Sequence, residues 1–254
     1  MDSRERLVAA VRGGPVDRAP WFAWSPQTSA ASAIAFGKQW SPDAVVVRSA
    51  IDAEQVLAQL PEAAVLVEVG NPFGEALQGG VDLTAEFAKG PDAGSSAFLA
   101  YSEGVASSLQ AALRCGADGV LYRLFGAEPS LSSPMQFGGF FLEQEKDLLS
   151  TVADARLNVL YVEGGEGVFL DVLADLPAQA FGWDEDRSNV SPAQVRKARK
   201  GALACGLDSD FRKLWDEFEG KGLIFSGKVP DIAEYNFKLI SEAVDDLKSP
   251  AAHE

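Results

Sequence analysis

The stretch Asn158–Gly167, NVLYVEGGEG, decides the fold. Its first half, Val159-Leu160-Tyr161-Val162, has the length and composition of a buried strand. Its second half breaks at Gly164, Gly165 and Gly167, with Glu163 and Glu166 where the strand gives out. Two carboxylates and a tyrosine at a Gly-rich strand end are what the active face of a parallel α/β protein presents. An ordinary αβ unit with an acidic loop reads the same way from this stretch alone.

Working outward, the same kind of run recurs. Trp21–Trp24, Asp43–Ala50, Ala64–Val69, Asp118–Phe125, Ala180–Asp184, Ala202–Asp208 and Gly222–Ser226 all read as strands. Helical patterns fall between them. Ser3 caps a helix carrying Leu7, Val8 and Val11, Asp52–Leu60 is a short helix, and Ala97–Arg114 is a long one stopped at Cys115-Gly116. Residues 74–94 are Gly-rich and weakly patterned, and FGGFF at 137–141 reads as a turn before a helix over 142–155. Further helices are expected over 167–176, 191–200, 210–219 and 232–247. Eight strands alternating with helices in 254 residues is the count of a (β/α)8 TIM barrel, one domain over 1–254 with no linker. A doubly wound open sheet would need fewer strands and a switch point.

Composition narrows the partners. A net charge of −15 repels nucleic-acid backbones and anionic membranes, and no run nears the roughly 18 to 20 apolar residues that span a bilayer. The N-terminus lacks the apolar core of a secretory signal, and Cys115 and Cys205 suggest no disulfide framework. A cytoplasmic protein that binds a small-molecule substrate is the expectation. The single histidine, His253, stands next to the C-terminus, which leaves no histidine for catalysis or for a metal.

In a barrel of this kind the chemistry sits at the C-terminal ends of the strands. That rule selects Trp24, Arg48, Glu68, Asn71, Tyr122, Arg123, Tyr161, Glu163, Glu166, Trp183, Asp184, Asp186, Arg187, Asp208, Ser226 and Lys228. Within the set, Glu163, Tyr161 and Asp184 are the candidate catalytic residues. Trp24, Arg48, Tyr122, Arg123, Glu166, Trp183, Asp208 and Lys228 are the candidate substrate contacts. Each has a plainer role available: a solvated loop acid for Glu166, a packing residue for Trp183, a solvated lysine for Lys228. Along WDED only one of Asp184 and Asp186 should face the mouth, because alternate strand residues point to opposite sides. No activated nucleophile and no phosphate-binding glycine motif is present. No CxxC or HExxH metal motif occurs, so no metal is assigned, although a Mg²⁺ site from Glu163, Asp184 and Asp208 is geometrically conceivable.

The motifs RERLVAAVRGGPVDRAPWF, SPDAVVVRSAI, CGADGVLY, NVLYVEGG, PAQAFGWD, GALACGLD and GLIFSGKVPD form an ordered series. It resembles that of the uroporphyrinogen decarboxylase and cobalamin-dependent (corrinoid) methyltransferase superfamily, from about Ser3 to Leu247. The resemblance implies a (β/α)8 barrel and tetrapyrrole or one-carbon chemistry, with a corrinoid as the cofactor and a corrinoid protein or a second copy of the chain as partners. The family's functional residues mostly do not carry over. The decarboxylases' arginine loop is AWSPQTS here, and their strand-two aspartate falls on Ala50. The methyltransferases' His-x-Cys zinc pair falls on Tyr161 and Glu163, and the SGK segment at 226–228 has no cysteine, so zinc is not expected.

Three readings follow. The first is a divergent, methyltransferase-like barrel enzyme acting on a small molecule or a corrinoid-bound methyl group. In it Glu163 is the acid/base, Tyr161 and Tyr122 orient the substrate, and Arg48, Arg123 or Lys228 meets an anionic group. The second is a decarboxylase-like enzyme with a smaller carboxylated substrate. The third is a non-catalytic ligand-binding subunit.

Overall fold

The computed structural model describes residues 1–249, and His253 lies outside them. Eight strands form one parallel sheet: β1 (Trp21–Trp24), β2 (Ala44–Val47), β3 (Ala64–Gly70), β4 (Gly119–Leu124), β5 (Val159–Val162), β6 (Ala180–Trp183), β7 (Ala202–Gly206) and β8 (Leu223–Lys228). Their order is β1-β8-β7-β6-β5-β4-β3-β2, the cyclic order of a (β/α)8 barrel. Apolar runs such as AVVV and VLYV are buried at every residue, as strands covered on both faces should be.

The ends of that order, β1 and β2, meet at the N-terminal side. Asp43 N–H donates to Trp21 O at 2.8 Å, and Trp21 N–H donates to Asp43 Oδ2 at 2.9 Å. Asp43 is fully buried and takes two arginines: Arg18 in bidentate fashion at 2.9 and 3.1 Å, and Arg6 through Nη1. Arg6 comes from α1 (Ser3–Val11), whose N-cap is Asp2, in a capping box with Glu5. Ser3 is therefore not the cap; the acid before it is. The Arg6 guanidinium is also held by Asp17 at 2.7 and 3.0 Å. Burial opposes its charge, but the two carboxylates outweigh that and raise its pKa.

The helices depart from expectation more than the strands do. α2 (Ala30–Trp40) is Ala-rich and has little contrast between its faces, so its sequence carries a weak periodic signal. α3 (Ala50–Gln59) begins two residues early, capped by Ser49. Residues 74–94 resolve into α4 (Pro72–Gln78) and α5 (Leu83–Lys89), capped by Asn71 and Asp82, and α6 (Pro91–Arg114) is longer than its apolar pattern. The FGGFF segment is not a turn: it forms most of α7 (Pro134–Phe140), with α8 (Leu142–Ser150) directly after. The helix expected over 167–176 shrinks to α9 (Leu170–Leu173), because Gly167 adopts φ +79° and Pro177 closes the far end. After α10 (Glu185–Ser188), α11 (Pro192–Ala198) and α12 (Phe211–Glu217), the last helix, α13, covers only Lys238–Ala243. No helix among the described residues is long and apolar enough to cross a membrane.

Register sets what faces inward. Phe22 pairs with Ser226, Leu66 with Gly119, Leu121 with Val159 and Ala204 with Ile224. Phe22, Leu66, Leu121, Val159 and Ile224 fill the lower ring and are at most 1% exposed. Their alternates, such as Trp21 against Phe36 and Phe225 against Phe211, pack under the helices.

Asp43→Ala should lose about 3 to 5 kcal/mol in urea denaturation, because it strands a buried guanidinium and opens the seam. Asp17→Ala removes a 43%-exposed carboxylate from the same Arg6 and should lose under about 1 kcal/mol. Equal losses would show that the seam does not depend on Asp43.

Candidate active site

The strand ladders continue one residue past two ends and so place two acids. Glu163 N–H donates to Leu124 O at 2.9 Å, and Asp184 N–H donates to Val162 O at 3.2 Å. Both residues alternate inward with Tyr161 and Gly182. From β4, Arg123 lies beside Tyr161 in register; from β8, Lys228 lies beside Trp24. These neighbours form one chain of ion pairs across the barrel mouth. Arg123 Nη1 meets Glu68 Oε1 at 2.6 Å, and its Nε and Nη2 meet Glu163 Oε1 at 3.0 and 2.8 Å. Lys228 Nζ then meets Glu163 Oε2 at 2.6 Å and Asp184 Oδ2 at 3.1 Å.

The electrostatics follow from that chain. Burial works against the Arg123 charge, but Glu163 and Glu68 reverse it and raise its pKa. Glu68 is pushed upward, above all by burial, against the pull of Arg123 and Arg48. Tyr161 is raised first by burial and then by Asp184, Glu163 and Glu185, which keeps its phenol protonated. The ring of Trp24 lies edge-on to Tyr161 at 4.8 Å, with the Arg123 guanidinium over it at 5.3 Å. Trp24 is fully buried there and its indole N–H has no partner.

A cavity of about 180 Å³ opens beside this chain, between the ends of β5 to β8, with room for about six waters. Tyr161, Asp184, Glu185, Asp186, Asp208 and Lys228 supply its polar groups. The alternation expected of Asp184 and Asp186 fails because α10 starts at Glu185, with Asp184 as its cap, and the helical turn brings both acids to the cavity. Glu185 accepts Gly206 N–H at 2.6 Å, and burial raises its pKa. Asp208 accepts from Tyr235, whose pKa is pushed up to about 12, first by burial and then by that carboxylate.

The candidates therefore divide. Tyr161, Asp184, Asp208 and Lys228 meet at one cavity, with Glu163 and Arg123 behind them. Glu163 is 4% exposed and both its oxygens are engaged, so it holds Lys228 from below. Trp24 is sealed under Arg123 and cannot touch a ligand. Trp183 also lines this cavity, although its indole turns outward and its N–H donates to Val190 O at 2.9 Å. Glu166 stands exposed in the loop and makes no hydrogen bond among the described residues. Arg48 lines a different cavity. Glu163, Asp184 and Asp208 do not converge on a cation: Lys228 lies between the first two, and no set of three or more His, Cys, Asp or Glu among the described residues could hold a metal.

Tyr122 is also misplaced by the rule of strand ends. It points outward and donates to Glu145 Oε2 at 2.6 Å, while Asn71 Nδ2 donates to Glu145 Oε1 at 2.7 Å. Glu145 is fully buried, and burial pushes its pKa up to about 7. Its signal in the sequence was an acid on the apolar face of α8, aligned with Phe141, Leu148 and Leu149. Glu185 was legible in WDED once a helix starts there; Tyr235, in the loop after β8, carried no signal.

No sequence family matches the chain, and no curated protein matches it in sequence. Among solved structures, a methyltransferase from Methanosarcina mazei is similar over 97% of this chain and 98% of its own, with a TM-score of 0.77 at 15% identity. An old yellow enzyme homologue from Zymomonas mobilis is similar over 91% and 92%, with a TM-score of 0.56 at 12% identity. At these identities the likeness is one of fold: an enzyme-type barrel shared by several chemistries.

Glu145 gives a pH test. In the fold it keeps its proton up to about pH 7, whereas the unfolded chain releases it near the ordinary carboxyl value of 4.5. The folded state thus holds more protons between those values, and stability falls as pH rises through that window. Glu145→Gln should remove this part of the dependence. Its unfolding free energy from urea denaturation, relative to the unsubstituted protein, should rise between pH 5 and pH 8 by an amount on the order of 3 kcal/mol.

Proposed function

We propose that this chain is a barrel enzyme that acts on a small polar molecule held beside Lys228 and Asp184, and that the reaction is methyl transfer to a heteroatom of that molecule. The observation that carries it is the Lys228 ammonium, 2.6 Å from Glu163 and 3.1 Å from Asp184, at the edge of a cavity of about 180 Å³. The near-full-length likeness in fold to a methyltransferase supports the reaction class.

Methylation of an X–H group forms an X–CH3 bond, breaks the bond from methyl to donor with its electron pair left on the donor, and releases the X–H proton. Asp184 lines the cavity and is the carboxylate placed to take that proton. Lys228 orients Asp184 and donates to the acceptor atom or to a neighbouring polar group of the substrate. Glu163, itself held by Arg123, keeps the ammonium in place, and the Tyr161 phenol supplies a neutral donor. Glu163 is thus assigned a positioning role, with Asp184 and Lys228 in contact with substrate.

The cofactors implied by the resemblance fare differently from the fold. Zinc does not fit, since Tyr161 and Glu163 stand where its ligands would be and a thiolate site is absent from the mouth. A corrinoid ring is too large for a 180 Å³ cavity and could supply a methyl group only from outside it. Decarboxylation is less well supported. Holding a substrate carboxylate needs an uncommitted cation, and Arg123 and Lys228 are both already matched to carboxylates.

The test is transfer from methylcobalamin to a panel of small thiols, amines and hydroxy compounds, followed by the change in cobalamin absorbance. At least one acceptor should be methylated, and Lys228→Met and Asp184→Asn should each slow it by about a hundredfold. Transfer indifferent to both variants would overturn the assignment, as would carbon dioxide release without methyl transfer.

A further inference from the structure

Two hydroxyls enter the cavity beside Lys228 from opposite sides. Ser226 lies on the inward face of β8, between Ile224 of the lower ring and Lys228 at the mouth. Beside it in register is Gly206, which brings no side chain. Tyr161 comes from β5 and leans over β6: a Cβ added to its neighbour Gly182 would stand 3.1 Å from the Tyr161 ring. The Lys228 ammonium lies 5.8 Å from the centre of that ring, so the ring reaches toward β8. Both residues line the cavity.

Tyr161 is 4% exposed and Ser226 3%, and neither hydroxyl has a hydrogen-bond partner among the described residues. The side-chain atoms that are sealed as well as unpartnered are Trp24 Nε1, Glu68 Oε2 and Arg199 Nε. The Tyr161 and Ser226 oxygens are not among them, so each keeps an open face, turned to the hollow that both residues line. A nearly buried hydroxyl left unmatched is costly, and a polar group of a bound molecule would match both.

The rim above them carries an excess of negative charge. Asp184 is matched by Lys228 at 3.1 Å and by Arg187 at 3.7 Å. Glu185 accepts the Gly206 N–H, and burial pushes it toward its neutral form. Asp186 and Asp208 remain at the cavity, and neither has an ion-pair partner among the described residues. Asp208 takes only the neutral Tyr235 hydroxyl. The two carboxylates face a common space, since both raise the Tyr235 phenol.

We propose that the molecule held in this cavity is a short aliphatic amino alcohol, with its hydroxyl on Tyr161 and Ser226 and its ammonium between Asp186 and Asp208. This rests on the reading that the cavity is the substrate site, and it narrows the methyl acceptor to molecules that carry a positive charge. A volume of about 180 Å³ admits about six non-hydrogen atoms, enough for a chain of two or three carbons between the two groups.

The test is titration calorimetry of the full chain with no methyl donor present. Linear propanolamine, hydroxyl and amine at opposite ends, should bind saturably. The isosteric n-butylamine and the matching diol should each bind about tenfold more weakly, and the matching hydroxy acid not at all. Tyr161→Phe combined with Ser226→Ala should erase the preference over n-butylamine. That pair removes no hydrogen bond within the chain, so its thermal midpoint should stay that of the unsubstituted protein. Asp186→Asn combined with Asp208→Asn should erase the preference over the diol. Absence of saturable binding, equal binding of the hydroxy acid, or preferences that survive these variants would each overturn the proposal. Methyl transfer to thiols alone, without propanolamine binding, would overturn it and leave the reaction standing; propanolamine binding without methyl transfer to any acceptor would do the reverse.

Discussion

A ring of parallel strands is closed only if its first and second strands meet, and here that junction hangs on the buried carboxylate of Asp43. One backbone hydrogen bond joins the two strands there, and the carboxylate adds a second to the Trp21 N–H. A lone carboxylate at full burial would be prohibitively placed; Arg6 and Arg18 make it tolerable. Their supports, α1 and the segment before β1, are thereby tied to the floor of the barrel. The geometry of the opposite end follows from this closure, since register carried round the ring puts Trp24 beside Lys228 and Lys228 within reach of β5 and β6.

The mouth obeys the same electrostatic rule with more members. Glu68, Arg123, Glu163, Lys228 and Asp184 alternate in sign, and no member is far from an opposite charge. Such a chain is weak evidence for stability, because desolvation offsets much of the attraction. Its effect is to fix orientation: Glu163 receives a cation on each oxygen, so neither cation can turn away. The arrangement leaves Asp184 and Lys228 as the members that face open volume, and this separates them from the groups that hold them.

The strands were legible because β-branched runs bounded by glycine and acidic residues have few other interpretations. The mouth was legible wherever alternation was respected. Arg123 and Tyr122 are adjacent on β4, as are Asp184 and Trp183 across the end of β6, so only one of each pair can face inward. The aromatic partner is the outward one each time: Tyr122 is thereby removed from the mouth, while Trp183 at the very end of its strand still borders the cavity. Trp24 has the correct parity but lies one layer too deep, beneath Arg123. Glu166 sits four residues past the end of β5 at Val162, where Gly164 and Gly165 have already turned the chain away. The short helices could not be bounded from pattern alone: their ends are set by caps such as Asn71 and Asp82, and by a left-handed glycine at 167.

The hollow beside Lys228 owes its existence to how little bulk β6 and β7 bring inside: Ala180, Gly182, Ala202, Ala204 and Gly206. A methyl group on Gly182 would stand 2.8 Å from the Ala204 carbonyl oxygen, and one on Gly206, at φ +77°, would stand 2.4 Å from Leu214. The depth of the hollow is therefore inherited with the backbone, while the acids at its rim hang on helix and loop positions free to vary. Descendants of this protein can change what they recognise far more readily than how large a molecule they admit.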